Sequence, residues 1–491
     1  MTETTRLQEL VPQPAEVHPR PDVEFTLTPA TRILLKTESA RHPATRLAEQ
    51  LRGSTGYDLE TTATGPAGII FEEADLAEEA YELDITATAV TIRAGSAQGH
   101  FNATATLRQL LPPQAESAEK HEAEWTIPGA GIHDRPRYRY RGAMLDVTRH
   151  FFTPPQVKRY LTHLAALKIN HLHLHLTDDQ GWRIEIKSWP KLTEIGGTTE
   201  VGGKQGRFFY TQEEYADLVR YAQDRGITVV PEFDMPGHTN AALASYPELN
   251  DDEKAKDHYT GIEVGFSSLA IHKDITYTFV EDVIRELAAL TPGPYLHIGG
   301  DEALNTPDAD YATFMSRVLP LVGKHGKTAI GWHEFIKTTD DTTPVVQFWN
   351  QTTADENVAA AAKRGNKVIL SPANRVYLDM KYTEDTELGL KWAGHVEVRD
   401  SYDWNPGAYL RDVPEDAVLG VEAPLWTETV TTEEELDQMA FPRLAAAAEL
   451  AWSPRATHGW DDFARRLAAQ AERWEVRGIH FHRSPQVPWR D

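Results

Sequence analysis

The segment His297-Ile298-Gly299-Gly300-Asp301-Glu302 ends an apolar run on two glycines and leaves two neighbouring carboxyls just beyond it. Pro294 to Ile298 reads as a short buried strand, and the glycines allow backbone angles that a side chain would forbid. Consecutive side chains of a regular strand point to opposite faces, so Asp301 and Glu302 serve one pocket only if the strand has stopped before them. The double glycine permits that stop. Two carboxyls held close in a partly dry site cannot both ionise cheaply, so one keeps its proton near neutral pH and can act as a general acid. The same pair also fits an acidic loop or a helix N-terminus, where Asp and Glu collect, and the rest of the chain has to decide.

The elements that would position such a pair repeat along most of the chain. From about residue 137 the pattern runs strand, loop, helix. Candidate strands are Gly142 to Val147, His171 to Thr177, Thr228 to Phe233, Tyr295 to Ile298, Thr328 to Trp332, Val345 to Trp349, Lys367 to Leu370 and Val418 to Leu425. Helical spacing of apolar residues lies between them at Pro155 to Leu167, Gln212 to Asp224, Tyr277 to Leu290, Tyr311 to Lys324, Asn357 to Arg364 and Glu433 to Trp452. Eight such strands over roughly 250 residues or more predict a (β/α)8 TIM barrel, which collects functional groups where strands end. Residues 1–135 read differently. Strand-like Arg32 to Leu35, Gly68 to Phe71, Tyr81 to Ile85 and Ala89 to Arg93, with helices over Pro43 to Arg52 and His100 to Leu111, predict a small α+β domain ahead of a 136–491 catalytic barrel with C-terminal helices.

The ends of the eight strands carry Asp146 and Arg149, Asp178 and Asp179, Asp234 and His238, Asp301 and Glu302, Trp332, Trp349, Tyr377 and Asp379, and Trp426 and Glu428. Carboxylates, one Arg and aromatic faces suit a sugar, whose hydroxyls ask for paired acceptors and donors and whose ring faces stack on indole. Trp452, Trp460 and Trp474 read as core. His171, His173 and His175 alternate with leucines and share one strand face, which fits either packed, hydrogen-bonded histidines or a metal site.

Composition narrows the field. The chain has 491 residues with 49 basic and 74 acidic side chains, and a formal charge of -25 argues against nucleic acid or an anionic membrane as partner. It has no Cys, so disulfides, zinc-thiolate sites and thiol nucleophiles are excluded. Met1 to Arg6 carries acid and lacks an apolar leader, and no later run approaches ~18 apolar residues. The expectation is a cytoplasmic protein, or a secreted one if an export segment has been removed.

Six ordered segments resemble glycoside hydrolase family 20, the exo-acting β-N-acetylhexosaminidases. They are Arg141-Gly142 with Leu145 to His150, His173 to Trp182, Glu232 to His238, His297 to Glu302, Tyr377 to Asp379, and Leu425 to Glu428. The first domain is also similar to the small domain of that family, through Gly99 to Phe101 and Leu107 to Leu110. The resemblance implies retaining, substrate-assisted hydrolysis of terminal β-linked N-acetylhexosamine (N-acetylglucosamine, with N-acetylgalactosamine as the alternative epimer), without a cofactor or a metal. In that scheme Glu302 is the general acid and base, Asp301 orients the 2-acetamido group, and Tyr377 holds its oxygen. Trp332, Trp349 and Trp426 wall the acetamido methyl, Arg149, Asp379 and Glu428 grip hydroxyls, Trp392 stacks near the leaving group, and Asp178 with His238 stands behind Glu302. The partner is an oligosaccharide or glycoconjugate ending in N-acetylhexosamine. The absence of an export signal favours small imported fragments over an extracellular polymer. Two other classes stay open on sequence alone: a sugar-binding protein that has lost catalysis, and a metal-dependent amidohydrolase built on His171, His173 and His175.

Overall fold

A computed structural model describes residues 3–65 and 68–490. The first unit is a seven-stranded mixed sheet, in spatial order Glu16–Thr26, Thr126–Asp134, Tyr81–Ile85, Val90–Ala94, Ile69–Glu73, Ile33–Leu35 and Thr61–Thr62. Tyr81–Ile85 and Val90–Ala94 alternate between buried and half-buried positions, as strands with a single covered face should. Helices Arg41–Thr55 and Ala97–Leu110 cover that face, and the first reaches across to the barrel through Arg46 and Asp224 at 3.2 Å. Three strands went unpredicted, the two-residue Thr61–Thr62 and two longer ones. Glu16–Thr26 is mostly exposed and carries Pro19 and Pro21 on the sheet edge, and Thr126–Asp134 is punctuated by Pro128, Gly129 and Gly131.

The second unit is a closed barrel of eight parallel strands: β1 (Tyr140–Asp146), β2 (His171–His175), β3 (Thr228–Glu232), β4 (Tyr295–His297), β5 (Thr328–Trp332), β6 (Val345–Phe348), β7 (Val368–Leu370) and β8 (Val418–Leu425). The barrel closes where Gly420 to Leu425 of β8 pair with Tyr140 to Leu145 of β1. All eight predicted strands are present within a few residues. The helices behave as their caps dictate. In Gln212–Gln223, Thr211 and Glu214 exchange capping bonds, and Tyr215, Leu218, Val219 and Ala222 form the buried stripe. One expectation is corrected: Glu433 to Trp452 is not a single helix but two, Glu433–Ala440 and Arg443–Trp452, because Pro442 cannot donate the next helical bond. After β5 the chain makes only a 3₁₀ stretch, His333–Thr338.

Inside the barrel, Tyr140, Val230, Ile330, Val345 and Ile369 form an apolar layer. Two residues further along the same strands the inward positions become Glu232, Trp332 and Gln347, joined by His173, His297 and Glu422, all fully buried. A polar layer therefore underlies the carboxyl ends of the strands. No helix among the described residues is long and apolar enough to cross a membrane.

Candidate active site

A cleft of about 330 Å³ opens at the carboxyl ends of the strands, lined by Arg149, His238, Ile262, Val264, Asp301, Glu302, Trp349, Tyr377, Asp379, Leu390, Trp392, Trp426 and Glu428. Nearly every residue expected there from sequence is present. Strand β4 ends at His297, and Gly299 and Gly300 take left-handed angles, φ 62° and 99°. A Cβ on Gly299 would collide with the Asp234 carboxylate, so glycine is required at that turn. Glu302 itself has φ 46°, a strained value for a non-glycine residue that turns its carboxyl into the same cleft as Asp301. The turn is anchored by Gly300 N–H donating to Asp234 at 3.0 Å and by the Tyr311 hydroxyl donating to the Gly300 carbonyl at 2.5 Å.

Burial pushes the Asp301 carboxyl up to about 6, while the neighbouring His238, 3.8 Å away, opposes the rise. Burial and the nearby Asp301 raise Asp234 well above the usual carboxylate range. His238 approaches Glu302 at 3.4 Å through Nε2 and Asp178 at 3.1 Å through Nδ1. Burial works against charge on His238, but Asp178 and Asp301 outweigh it and hold the imidazolium. Asp178 lies 1% exposed beneath the cleft, behind His238 and 3.0 Å from Arg149 Nη2.

Around the cleft, both carboxylate oxygens of Asp379, Oε2 of Glu428 and Oδ1 of Asp301 are buried without a hydrogen-bond partner among the described residues. Such atoms are costly unless a ligand satisfies them. Burial and Glu428 raise Asp379 well above its ordinary value, and burial raises Glu428 against the pull of Arg149. Arg149 is held by Asp146 at 3.1 Å and Gln180 at 3.1 Å, and its guanidinium lies 4.9 Å over the Trp426 ring. Asp146, at the end of β1, thus fixes Arg149 in place. Aromatic rings close the walls: Trp349 and Trp392 meet edge-on at 5.9 Å, and Tyr377 meets Trp392 at 5.8 Å and Trp426 at 6.3 Å. Trp392 is 48% exposed at the rim.

Trp332 departs from its expected place. It is 0% exposed and lies under the cleft, donating to Glu232 at 3.0 Å and packing against His297 and Trp426. It builds the floor on which Trp426 rests and does not face the open space. The histidines of β2 also resolve. His171 stacks on Tyr140 at 4.0 Å and bonds Asn170, whereas both ring nitrogens of His173 and of His175 are engaged by carboxylates. The three histidines share no common focus, so they do not form the ligand set of an amidohydrolase. Sequence reasoning missed Ile262, Val264 and Leu390, which come from loops without periodicity. It also missed Glu334, two residues past β5, which accepts the Trp349 indole N–H at 3.1 Å and is raised to about 8 by burial and by Asp301.

A barrel whose strand ends gather an adjacent carboxyl pair, unpaired acceptors and indole walls is the framework of a glycosidase. Residues 138–455 match the model of the glycosyl hydrolase family 20 catalytic domain, and residues 7–135 match domain 2 of the same family. The chain belongs to glycosyl hydrolase family 20. It is 42% identical to a β-N-acetylhexosaminidase of Cellulomonas fimi, covering 98% of this chain and 97% of the relative. Among solved structures it is similar to the family 20 β-N-acetylhexosaminidase of Streptomyces coelicolor A3(2), with 52% identity, TM-score 0.96 and coverage of 99% of each chain. It is equally similar to a mutant Streptomyces plicatus β-hexosaminidase in complex with its product GlcNAc, with 54% identity, TM-score 0.96, and coverage of 99% of this chain and 98% of that one.

Proposed function

We propose that this protein is an exo-acting β-N-acetylhexosaminidase that removes terminal, non-reducing β-linked N-acetylhexosamine with retention, using the acetamido group of the substrate as nucleophile. The observation that carries this reading is the convergence of Asp301, Glu302 and Tyr377 on one cleft, floored by unpaired carboxylates and walled by Trp349 and Trp426. The cleft is small for a ligand pocket, which fits one sugar ring and the removal of one residue at a time.

In the first step the acetamido oxygen attacks the anomeric carbon as the glycosidic C–O bond breaks and Glu302 gives its proton to the leaving oxygen. Asp301, as the carboxylate, accepts the acetamido N–H and offsets the positive charge of the forming oxazolinium, while the buried Tyr377 hydroxyl donates to the attacking oxygen. Burial, Asp301 and Asp379 together hold the Tyr377 proton firmly, so it remains a donor throughout. In the second step Glu302, now ionised, takes a proton from water as the water oxygen bonds to the anomeric carbon and the ring opens. A well-placed internal nucleophile is worth ~7–11 kcal/mol of the barrier. Arg149, Asp379 and Glu428 grip the hydroxyls, and Trp392 at the rim stacks on the leaving group. Short oligosaccharides ending in N-acetylhexosamine, N-acetylglucosamine or its galacto epimer, are the substrate class this reading supports.

The test is a comparison of affinities for a thiazoline mimic of the cyclic ion and for plain N-acetylglucosamine. Transition-state-like ligands bind at least ~10²-fold tighter than ground-state ones, so a clear preference for the mimic is expected. Equal binding, or brisk cleavage of glycosides bearing a bare 2-hydroxyl, refutes participation of the acetamide.

A further inference from the structure

Below Asp178, acid and imidazole groups continue to alternate down the inside of the barrel. Asp178 Oδ2 meets His175 Nε2 at 2.7 Å, and His175 Nδ1 bonds Glu232 Oε2. That oxygen also meets His173 Nε2 at 2.9 Å, and His173 Nδ1 meets Glu422 at 2.8 Å. The column ends on Glu422, which takes bonds from Tyr140 and Gln347, both at 2.6 Å. Every member from Asp178 downward is sealed from solvent.

Geometry fixes the protonation of this column. A neutral imidazole donates one N–H only, yet His175 and His173 each lie between two carboxylates, so each ring must donate at both nitrogens or a carboxyl must carry the proton. Glu232 sits at the centre. Its other oxygen faces His297 Nδ1 at 3.0 Å and the Trp332 indole N–H at 3.0 Å, and no Lys or Arg touches it. Among the described residues, charge on its histidines and the Trp332 indole N–H are therefore its local compensation. Burial disfavours charge on all of them, but Glu232 and its fellow carboxylates prevail at His175 and His173, the latter held up to about 9, while His297 is lowered and stays neutral. Among the described residues, Arg149 on Asp178, Asp146 and Asp234 beside His175, and Asp178, Asp179, Asp234, Asp301 and Glu302 around His238 are the remaining charged or titratable groups that face the upper links.

We propose that Glu422, His173, Glu232 and His175 extend the Asp178–His238 support into one coupled relay, with Glu232 as the positioning residue that holds a second proton on His175 and through it controls the proton that His238 presents to Glu302. The proposal rests on the reading above in which Glu302 is the proton donor. It adds that the donor is governed from the barrel floor, four links away from Glu302 itself. Replacing Glu232 by Gln removes the charge that holds the second proton on His175. Above the pH at which that proton leaves, the positive charge lost lies nearer the cleft than the negative charge lost. The proton at the top of the column is then held to higher pH, and the alkaline limb of activity moves upward.

Nitrogen-15 NMR of the imidazole side chains in the full chain, with kcat and KM measured across pH, tests this in wild type and in Glu232→Gln. In wild type, His175 and His238 are expected to be doubly protonated at pH 7 while His171 and His297 are neutral. In Glu232→Gln, His175 is expected to lose its second proton at lower pH than in wild type and the His238 titration to move to higher pH. A fall in kcat of about 10- to 100-fold should come with KM within about 3-fold and an alkaline limb about one unit higher. A folded Glu232→Gln that leaves the His238 titration and the pH limb unmoved overturns the relay. If that variant does not fold, the wild-type spectra decide alone, because a singly protonated His175 at pH 7 with its carboxylates ionised overturns it equally. The NMR signals are independent of turnover, so failure of the relay is distinguishable from failure of the glycosidase mechanism.

Discussion

Asp301 carries a stability cost that can be removed together with its chemistry. Its carboxyl is raised from the ordinary 3.8 to about 6, chiefly by burial. The folded chain therefore binds more protons than the unfolded one between those two values, and stability falls as pH rises through that window. Below pH 3.8 both states are protonated and no cost exists; above about 6 the cost is complete, at ~1.4 kcal/mol for each unit of the gap, or ~3 kcal/mol. Asp301→Asn cannot ionise, and its amide oxygen can still accept the proton that Asp234 offers. The variant is expected to be ~3 kcal/mol more stable than wild type at pH 8, with the gain shrinking to under ~1 kcal/mol at pH 4. Urea unfolding at the two pH values, followed by tryptophan fluorescence, measures both gains, and turnover of an aryl N-acetyl-β-glucosaminide should be nearly abolished in the same sample. An equal gain at both pH values would mean that repacking rather than ionisation is responsible, and a loss of stability at pH 8 would refute the reasoning outright.

Two further outcomes follow from the geometry. Glu302→Gln should lower kcat about 10²- to 10⁴-fold for leaving groups that need protonation and far less for activated aryl leaving groups, which a series of aryl glycosides of graded acidity would measure; a uniform loss across the series would remove Glu302 from the role of acid. Asp134→Ala should cost ~3–5 kcal/mol by leaving Lys168 charged and buried without its partner, since Asp134 accepts from Lys168 at 2.9 Å, Tyr81 at 2.6 Å and Trp452 at 3.0 Å. Denaturation midpoints should show it, and an unchanged midpoint would contradict the pairing.

The barrel was legible because each of its strands is a short apolar run bounded by turn residues, and because strand ends list the residues that reach the cleft. Asp301, Glu302, Asp379 and Glu428 could be placed on that basis alone. What spacing does not give is the rotation of a side chain about its strand, so Trp332 was expected in the wall and is found in the floor. Partners on distant strands are equally hidden. His173 and His175 were seen to share a face, but their carboxylates, Glu232 and Glu422, are 57 to 249 residues away in the chain and meet them only through barrel register. Ile262, Val264 and Leu390 lie on loops, where no periodicity marks a residue that will turn inward. The edge strand Glu16–Thr26 was obscured by its two prolines, and Pro442 alone divides what reads as one long amphipathic helix.

Trp452 closes the last barrel helix, yet its side chain belongs to the apolar core of the small domain, where its indole donates to Asp134 and lies 4.3 Å from the Lys168 ammonium. Arg141, at the start of β1, reaches into the same seam and is paired with Glu79 of the first unit. The seam thus stitches the first strand and the final helix of the barrel to one foreign core. A catalytic half excised at the sequence boundary would take away the indole that plugs its neighbour and strand two cations of its own, so gene fusions or shuffled chimaeras that treat the halves as interchangeable modules must carry the seam intact.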